Sequence, residues 1–188
     1  NCGIDDLHAI AKGSELCNAY GLDTISAGAA IAFAMECFEN GLLTQRDTGG
    51  LDLRFGNAPA MVEMVERIAQ RRGLGNLLAE GTLRAAQKIG QGAEKYAMHV
   101  KGQEAPMHEP RLKAALGVGY AVSPTGADHN HNFHDTFYAK DVSSLTALDR
   151  TITTPLPAND LSAEKIKMLT AETNWMHFYD SAVMCMFL

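Results

Sequence analysis

The sequence contains no C-x-x-C pair. Its four cysteines stand apart at Cys2, Cys17, Cys37 and Cys185, so the chain carries no complete zinc or cluster motif by itself. Cys17 and Cys37 lie among apolar residues in helical patterns and read as buried thiols. No apolar run is long enough to span a bilayer, and no signal-peptide pattern is present. No membrane partner is expected, and the expected compartment is the reducing cytoplasm. Clustered positive charge is also missing. The 16 Lys and Arg against 22 Asp and Glu leave a net charge of −6, and the densest basic pair is Arg71-Arg72. A nucleic-acid backbone is therefore not the expected partner. There is no internal repeat, no low-complexity tract and no convincing strand ladder.

What is present is helical patterning in a chain that is 46% apolar and 20% charged, ordinary values for a globular protein. Ile4, Leu7, Ile10 and Ala11 recur at helical spacing, and Gly21 suits the left-handed residue that closes such a helix. Asp23 or Thr24 can cap a second helix whose face is Ile25, Ala29, Ala32, Phe33 and Cys37, ended by Gly41. Asn57 and Pro59 open a third helix, closed by Gly73. The spacing predicts a fourth from about Asn76 to Ile89. EKYAMHVKGQE fits a short helix or an extended piece. A short helix is expected around Leu112–Val122, and a last one from Ser162. Residues 143–160 read as a surface connection broken by Pro155 and Pro157. The expected fold is all-α and multihelical, as two small helical domains (1–105 and 106–188) or one irregular helical globule. Position 1 is Asn, and the end, SAVMCMFL, has no polar tail. Both are expected of a piece of a longer protein.

Three places can carry chemistry. The first is the elbow Asn18-Ala-Tyr-Gly21-Leu22-Asp23, where one helix ends and another begins. Asp23 is there either a plain N-cap or a carboxylate that also accepts from the N–H groups of a planar heterocycle. The second is Asp180-Ser-Ala-Val183-Met184-Cys185, which repeats the first loosely and otherwise reads as a terminal helix with a buried cysteine. The third is Asp128-His129-x-His131-x-x-His134-Asp135. Its density of imidazole and carboxylate suits a transition metal, acid–base work or a polar surface loop. His8, His99 and His177 have no local partner.

The opening NCGIDDLHAIAKGSELCNAYGLDTISAGAAIAFAMECFENGLLT resembles the tungsten-containing aldehyde ferredoxin oxidoreductases. So do DTGGLDLRFGN, GLGNLLAEG, AMHVKGQEAPMHEPR and GYAVSPTGADH, in the family's order. The family's motifs D-x-x-G-L-D and D-x-x-G-L-C correspond to the elbow and to residues 180–185. The resemblance implies that Asn18, Gly21, Leu22 and Asp23 hold one pterin of a bis-pyranopterin tungsten (or molybdenum) cofactor. It implies Asp180, Val183 and Met184 for the other pterin, and Cys185 as one of four thiolates on a [4Fe–4S] cluster, the remaining three lying outside this chain. It places His129, with His131 second, as the active-site histidine near the reacting oxygen. The implied reaction is oxidation of an aldehyde to a carboxylic acid, with electrons passed to ferredoxin or a similar acceptor. Relatives act on other carbonyl or carboxylate compounds, and a cofactor-less scaffold is a further alternative. A homodimer is an expected assembly, because family members often form dimers. Three positions depart from the pattern. Asn18 keeps an acceptor but lacks the charge of aspartate. Val183 replaces glycine, and β-branching disfavours the left-handed conformation. Met184 replaces leucine.

Overall fold

The computed structural model describes residues 1–185. Mostly helical, these residues form eight α-helices and a two-stranded hairpin. They divide into two compact units, Asn1–Pro106 and Met107–Leu188.

In the first unit, α1 (Leu7–Tyr20) is capped by Asp6, whose carboxylate accepts from the amides of His8 and Ala9. After a bend of 120° comes α2 (Thr24–Glu39). Its residues Ile31, Ala34, Met35 and Cys37 are wholly inaccessible, so α2 is the central core helix. Burial pushes the Cys37 thiol up to about 11, with Glu36 adding to it. Such a thiol packs rather than reacts. Against this core lies α3 (Ala58–Ala69), capped by Asn57 and buried along Met61, Met64, Val65 and Ile68.

The fourth helix expected over 76–89 is instead two: α4 (Leu74–Leu78) and α5 (Thr82–Ile89). The break falls at Gly81, whose φ of 85° leaves the helical region. Glu104 fixes the break from a distance. Its Oε1 accepts from the backbone N–H of Thr82 at 2.6 Å and from the Thr82 hydroxyl at 2.8 Å, in buried surroundings. Glu104 belongs to the hairpin of β1 (His99–Val100) and β2 (Gln103–Glu104), paired antiparallel with His99 opposite Glu104. The ambiguous segment is thus both things, a 3₁₀ turn over Ala93–Tyr96 followed by the hairpin.

The second unit holds α6 (Ala114–Val122), α7 (Ser143–Leu148) and α8 (Ala163–Ser181). Helix α7 lies inside the segment expected to be a plain connection. It is anchored by Leu145 at 1% exposure and ends well before Pro155. The core combines Ala115, Phe133, Leu145, Ile152 and Met168 with an unusual buried pair, Asp135 and Lys165, both with fully inaccessible side chains.

Glu172 is buried beside this core, and one of its oxygens accepts from the Tyr138 hydroxyl at 2.7 Å while the other has no partner among the described residues. Burial raises its carboxyl to about 7, Tyr138 opposes, and Asp135 adds to the rise. The folded state therefore binds a proton that the unfolded chain has released, and stability falls as pH rises from about 4.5 to about 7. Glu172→Gln should remove that slope, and above neutrality it should stabilise by on the order of 3 kcal/mol. Urea denaturation of both proteins at about pH 5 and pH 8 reads this. Equal pH dependence in both would show that Glu172 ionises normally.

Candidate functional site

The elbow is a precise local structure. Gly21 is left-handed, with φ 69° and ψ 33°. The Gly21 amide donates to the Asn18 carbonyl at 3.3 Å, and the Leu22 amide reaches back to Cys17 at 2.8 Å. These two bonds satisfy carbonyls that a helix end leaves open. Two residues on, the Asp23 carboxylate accepts from the Ser26 amide at 2.6 Å and starts α2. Only one of its oxygens is used this way. The other has no partner among the described residues, and Asp23 is exposed. Leu22 is half-buried against the core. The Asn18 amide donates to the Ser14 carbonyl of its own helix at 2.8 Å. An aspartate could not make that bond, which gives the asparagine a local reason.

The end of α8 repeats this pattern bond for bond. The Val183 amide donates to the Asp180 carbonyl at 3.1 Å, and the Met184 amide reaches Tyr179 at 3.0 Å. Val183 stands where Gly21 stands, and contrary to the expectation from β-branching it adopts φ 56°. At 93% exposure its side chain meets little that opposes this, but the intrinsic cost of about 1–2 kcal/mol remains. Asp180, Met184 and Cys185 are exposed, and Cys185 is a free thiol rather than the buried one that helix spacing alone suggests.

The histidine-rich loop does not gather its imidazoles on one point. His131 is buried, its Nδ1 lying 3.2 Å from the Asp128 carboxylate and its Nε2 3.2 Å from the Ser123 hydroxyl. A carboxylate only accepts, so Nδ1 carries a proton, and in the neutral ring Nε2 accepts from Ser123. The His131 ring packs at 5.0 Å from His177 of α8. Both rings line a cavity of about 240 Å³ with Ser123, Asn132, Thr173 and Asn174. His129 lies elsewhere, its ring 4.7 Å from His108 and 6.0 Å from His134. A single metal held by His129, His131 and His134 therefore does not fit this arrangement. Among the described residues, no three His, Cys, Asp or Glu side chains form a metal-binding group. Asp135 belongs to neither set, because it is spent on the amides of Ala115 and Leu116 and on Lys165.

Sequence reading passed over His108, Lys113, Ser123 and His177. Lys113 lies 3.1 Å from Nδ1 of both His108 and His134. Burial pushes His108 down to about 4, and the Lys113 ammonium and the neighbouring histidines add to it. Burial also lowers His134 and Lys113. The available signals were His108 inside EAPMHEPR and Ser123 inside GYAVSPTGADH, segments already noted for their resemblance. His177 had none, because its partner is 46 positions away.

The pterin and cluster assignments agree with the chemistry of these donors. Asp23 offers a spare carboxylate oxygen, Asp180 an exposed carboxylate, and Cys185 an exposed thiol suited to be one ligand of several. Comparison with known proteins concerns the chain as a whole. A protein 35% identical over 190 residues, covering all of this chain and 29% of its own length, is the tungsten-containing aldehyde ferredoxin oxidoreductase of Pyrococcus horikoshii. Another, 34% identical over 194 residues, covering all of this chain and 26% of its own length, is the aliphatic sulfonate oxidoreductase, WOR-like subunit, of Pyrococcus furiosus. Among solved structures, the active site complex BamBC of benzoyl coenzyme A reductase with 1,5-dienoyl-CoA is 38% identical, with a TM-score of 0.45 over 52% of this chain and 16% of that one, a likeness too weak to bear on the fold. The chain thus spans less than a third of the length of the curated relatives it matches. The model for aldehyde ferredoxin oxidoreductase, domains 2 and 3, matches residues 1–188, and the chain belongs to the aldehyde ferredoxin oxidoreductase family.

Proposed function

We propose that the chain is the helical part of a tungsten (or molybdenum) bis-pterin oxidoreductase of the cytoplasm. The whole enzyme oxidises a small aldehyde to a carboxylic acid and passes the electrons through a [4Fe–4S] cluster to ferredoxin or a similar acceptor. The observation that carries this reading, beside family membership, is the shared geometry of the two helix ends. Asn18, Gly21, Leu22 and Asp23 hold one pterin, and Asp180, Val183 and Met184 the other. Cys185 supplies one cluster thiolate, and three more come from residues outside this chain. When bound, the cofactors supply the two-electron oxidation and its exit as single electrons. The protein's part is to orient and to handle protons. Asp23 and Asp180 accept from ring N–H groups, and Asp23 does so without giving up its cap. His129 donates a hydrogen bond to the substrate oxygen. His131, oriented by Asp128 and hydrogen-bonded to Ser123, is the second candidate for that role.

A second reading keeps the cofactors and changes the substrate. The sulfonate oxidoreductase relative is 34% identical, almost as similar as the aldehyde enzyme. Rates across aldehydes, hydroxy acids, thioesters and sulfonates separate the two.

The test uses the full-length protein prepared anaerobically. It is expected to contain tungsten or molybdenum together with iron, and Cys185→Ala is expected to lower the iron content. Protein that holds neither metal would instead indicate a helical scaffold without cofactor, and iron that ignores Cys185→Ala would remove Cys185 from the cluster.

A further inference from the structure

His131 is held at both ring nitrogens. Its Nδ1 lies 3.2 Å from Asp128 Oδ2, and its Nε2 lies 3.2 Å from Ser123 Oγ. In the neutral ring the proton sits on Nδ1, so the Ser123 hydroxyl donates to Nε2. A hydroxyl has one proton. At the 2.9 Å contact between Ser123 Oγ and Thr125 Oγ1, Thr125 is therefore the donor. The Thr125 amide also donates to Ser123 Oγ, at 3.2 Å, and holds the two hydroxyls against each other. The result is a chain of hydrogen bonds from Thr125 through Ser123 and His131 to Asp128, with every proton directed toward the carboxylate. Placing one more proton on Nε2 reverses the first two bonds and breaks neither. The imidazolium then donates to Ser123, Ser123 donates to Thr125, and Asp128 faces the new charge. The chain also joins two environments. Ser123 and His131 are 5% and 9% exposed, and both line the cavity of about 240 Å³. Thr125 is exposed and is not part of that lining.

We infer that Ser123 and Thr125 form a proton relay between this cavity and the surface, with His131 as the point where the proton is held. Ser123 Oγ accepts a proton from water in the cavity as the Thr125 hydroxyl turns away, and the proton already on Ser123 passes to Nε2. Release runs the other way. The Nε2 proton returns to Ser123, the Ser123 proton passes to Thr125, and the Thr125 proton goes to solvent water. Each O–H or N–H bond that forms replaces one that breaks, and no electron moves. The assignment rests on the function proposed above for its source of protons, since an aldehyde and water yield the acid, two electrons and two protons. It adds the route by which a proton leaves. Ser123 and Thr125 act through His131 and are positioning residues for its proton.

The experiment follows aldehyde oxidation by the full-length, metal-loaded protein in mixtures of H2O and D2O. The wild-type rate is expected to fall along a curve as deuterium content rises, because more than one proton moves. Thr125→Val keeps the shape of the side chain and removes the hydroxyl. It is expected to lower kcat by about tenfold or more with KM unchanged, to straighten the curve, and to regain rate when imidazole buffer is added. Thr125→Ser restores the hydroxyl and is expected to restore the rate. Thr125 is exposed, so its replacement leaves the core intact. Thr125→Val that keeps the wild-type rate and curve overturns the relay. So does a slow Thr125→Val that buffer does not rescue, or a Thr125→Ser equally slow, since either marks a structural role. Neutron diffraction from crystals of the same protein, at about pD 8 and so above the ordinary imidazole range, reads the route without activity. The deuterons on Thr125 and Ser123 are expected to point toward His131, and a Ser123 deuteron directed at Thr125 overturns the assignment. Metal-free protein with the deuterons in the expected order sinks the proposed function and supports the route. Loaded, aldehyde-oxidising enzyme that ignores Thr125→Val does the reverse.

Discussion

Asp135→Ala is expected to destabilise the protein by about 3–5 kcal/mol, because it strands a buried ammonium. Both side chains of the Asp135–Lys165 pair are wholly inaccessible, with Lys165 Nζ 3.3 Å from Asp135 Oδ1. The carboxylate also accepts from the Ala115 amide at 3.1 Å and the Leu116 amide at 3.0 Å, so it caps α6 as well. Lys165 keeps the carbonyls of Leu156 and Pro157 and the face of the Phe133 ring, but no counter-charge, when the carboxylate is gone. Removing both charges together, with Asp135→Asn and Lys165→Met, should recover a large part of the loss, since the penalty lies in the orphaned charge rather than in the missing pair. Urea denaturation of the single and double variants measures this. A double variant as weak as Asp135→Ala would place the loss in the cap instead.

Gly75→Ala is expected to lower stability by about 1–3 kcal/mol. A Cβ at Gly75 would overlap the backbone carbonyl of Arg67 and crowd the Ile68 amide. Backbone cannot rotate away as a side-chain tip can, so α3 and α4 must part. Gly28 is the control. It too lies within a helix, and a Cβ there meets only Asn1 Nδ2, at 4.0 Å. Gly28→Ala should stabilise by about 0.5–1 kcal/mol. The opposite signs of two identical substitutions, read as melting temperatures, are the signature of close helix packing. A Gly75→Ala variant that melts with the wild type would show that the contact gives easily.

The elbow was legible in the sequence because its determinants are local. Gly21 and Asp23 lie within three residues of every backbone group they set, apart from the Cys17 carbonyl one turn back. The break between α4 and α5 was not legible. An unbroken helical pattern runs through Gly81, and the residue that holds the break, Glu104, arrives 22 positions later. Helix α7 was hidden by two prolines that lie beyond its end. In the histidine loop the residue types were visible but not their partners. His131 is defined by Ser123 and His177, His129 by His108, and Asp135 by Lys165, 30 positions away. Spacing along the chain grouped side chains that tertiary packing sends to different neighbours.

The paired helix ends also differ in how they hold together over time. The Gly21 turn forms at little conformational cost, so it is preformed and opens no more readily than the helix around it. In the Val183 turn the same two hydrogen bonds work against a residue that favours extended backbone. A difference of about 1.4 kcal/mol is a factor of ten in population, and the intrinsic penalty at Val183 is of that size. The last turn of α8, two residues before the thiol of Cys185, therefore unravels roughly ten times as often as a glycine turn would. Of two helix ends closed by the same hydrogen bonds, one is set in advance and the other has to be caught closed.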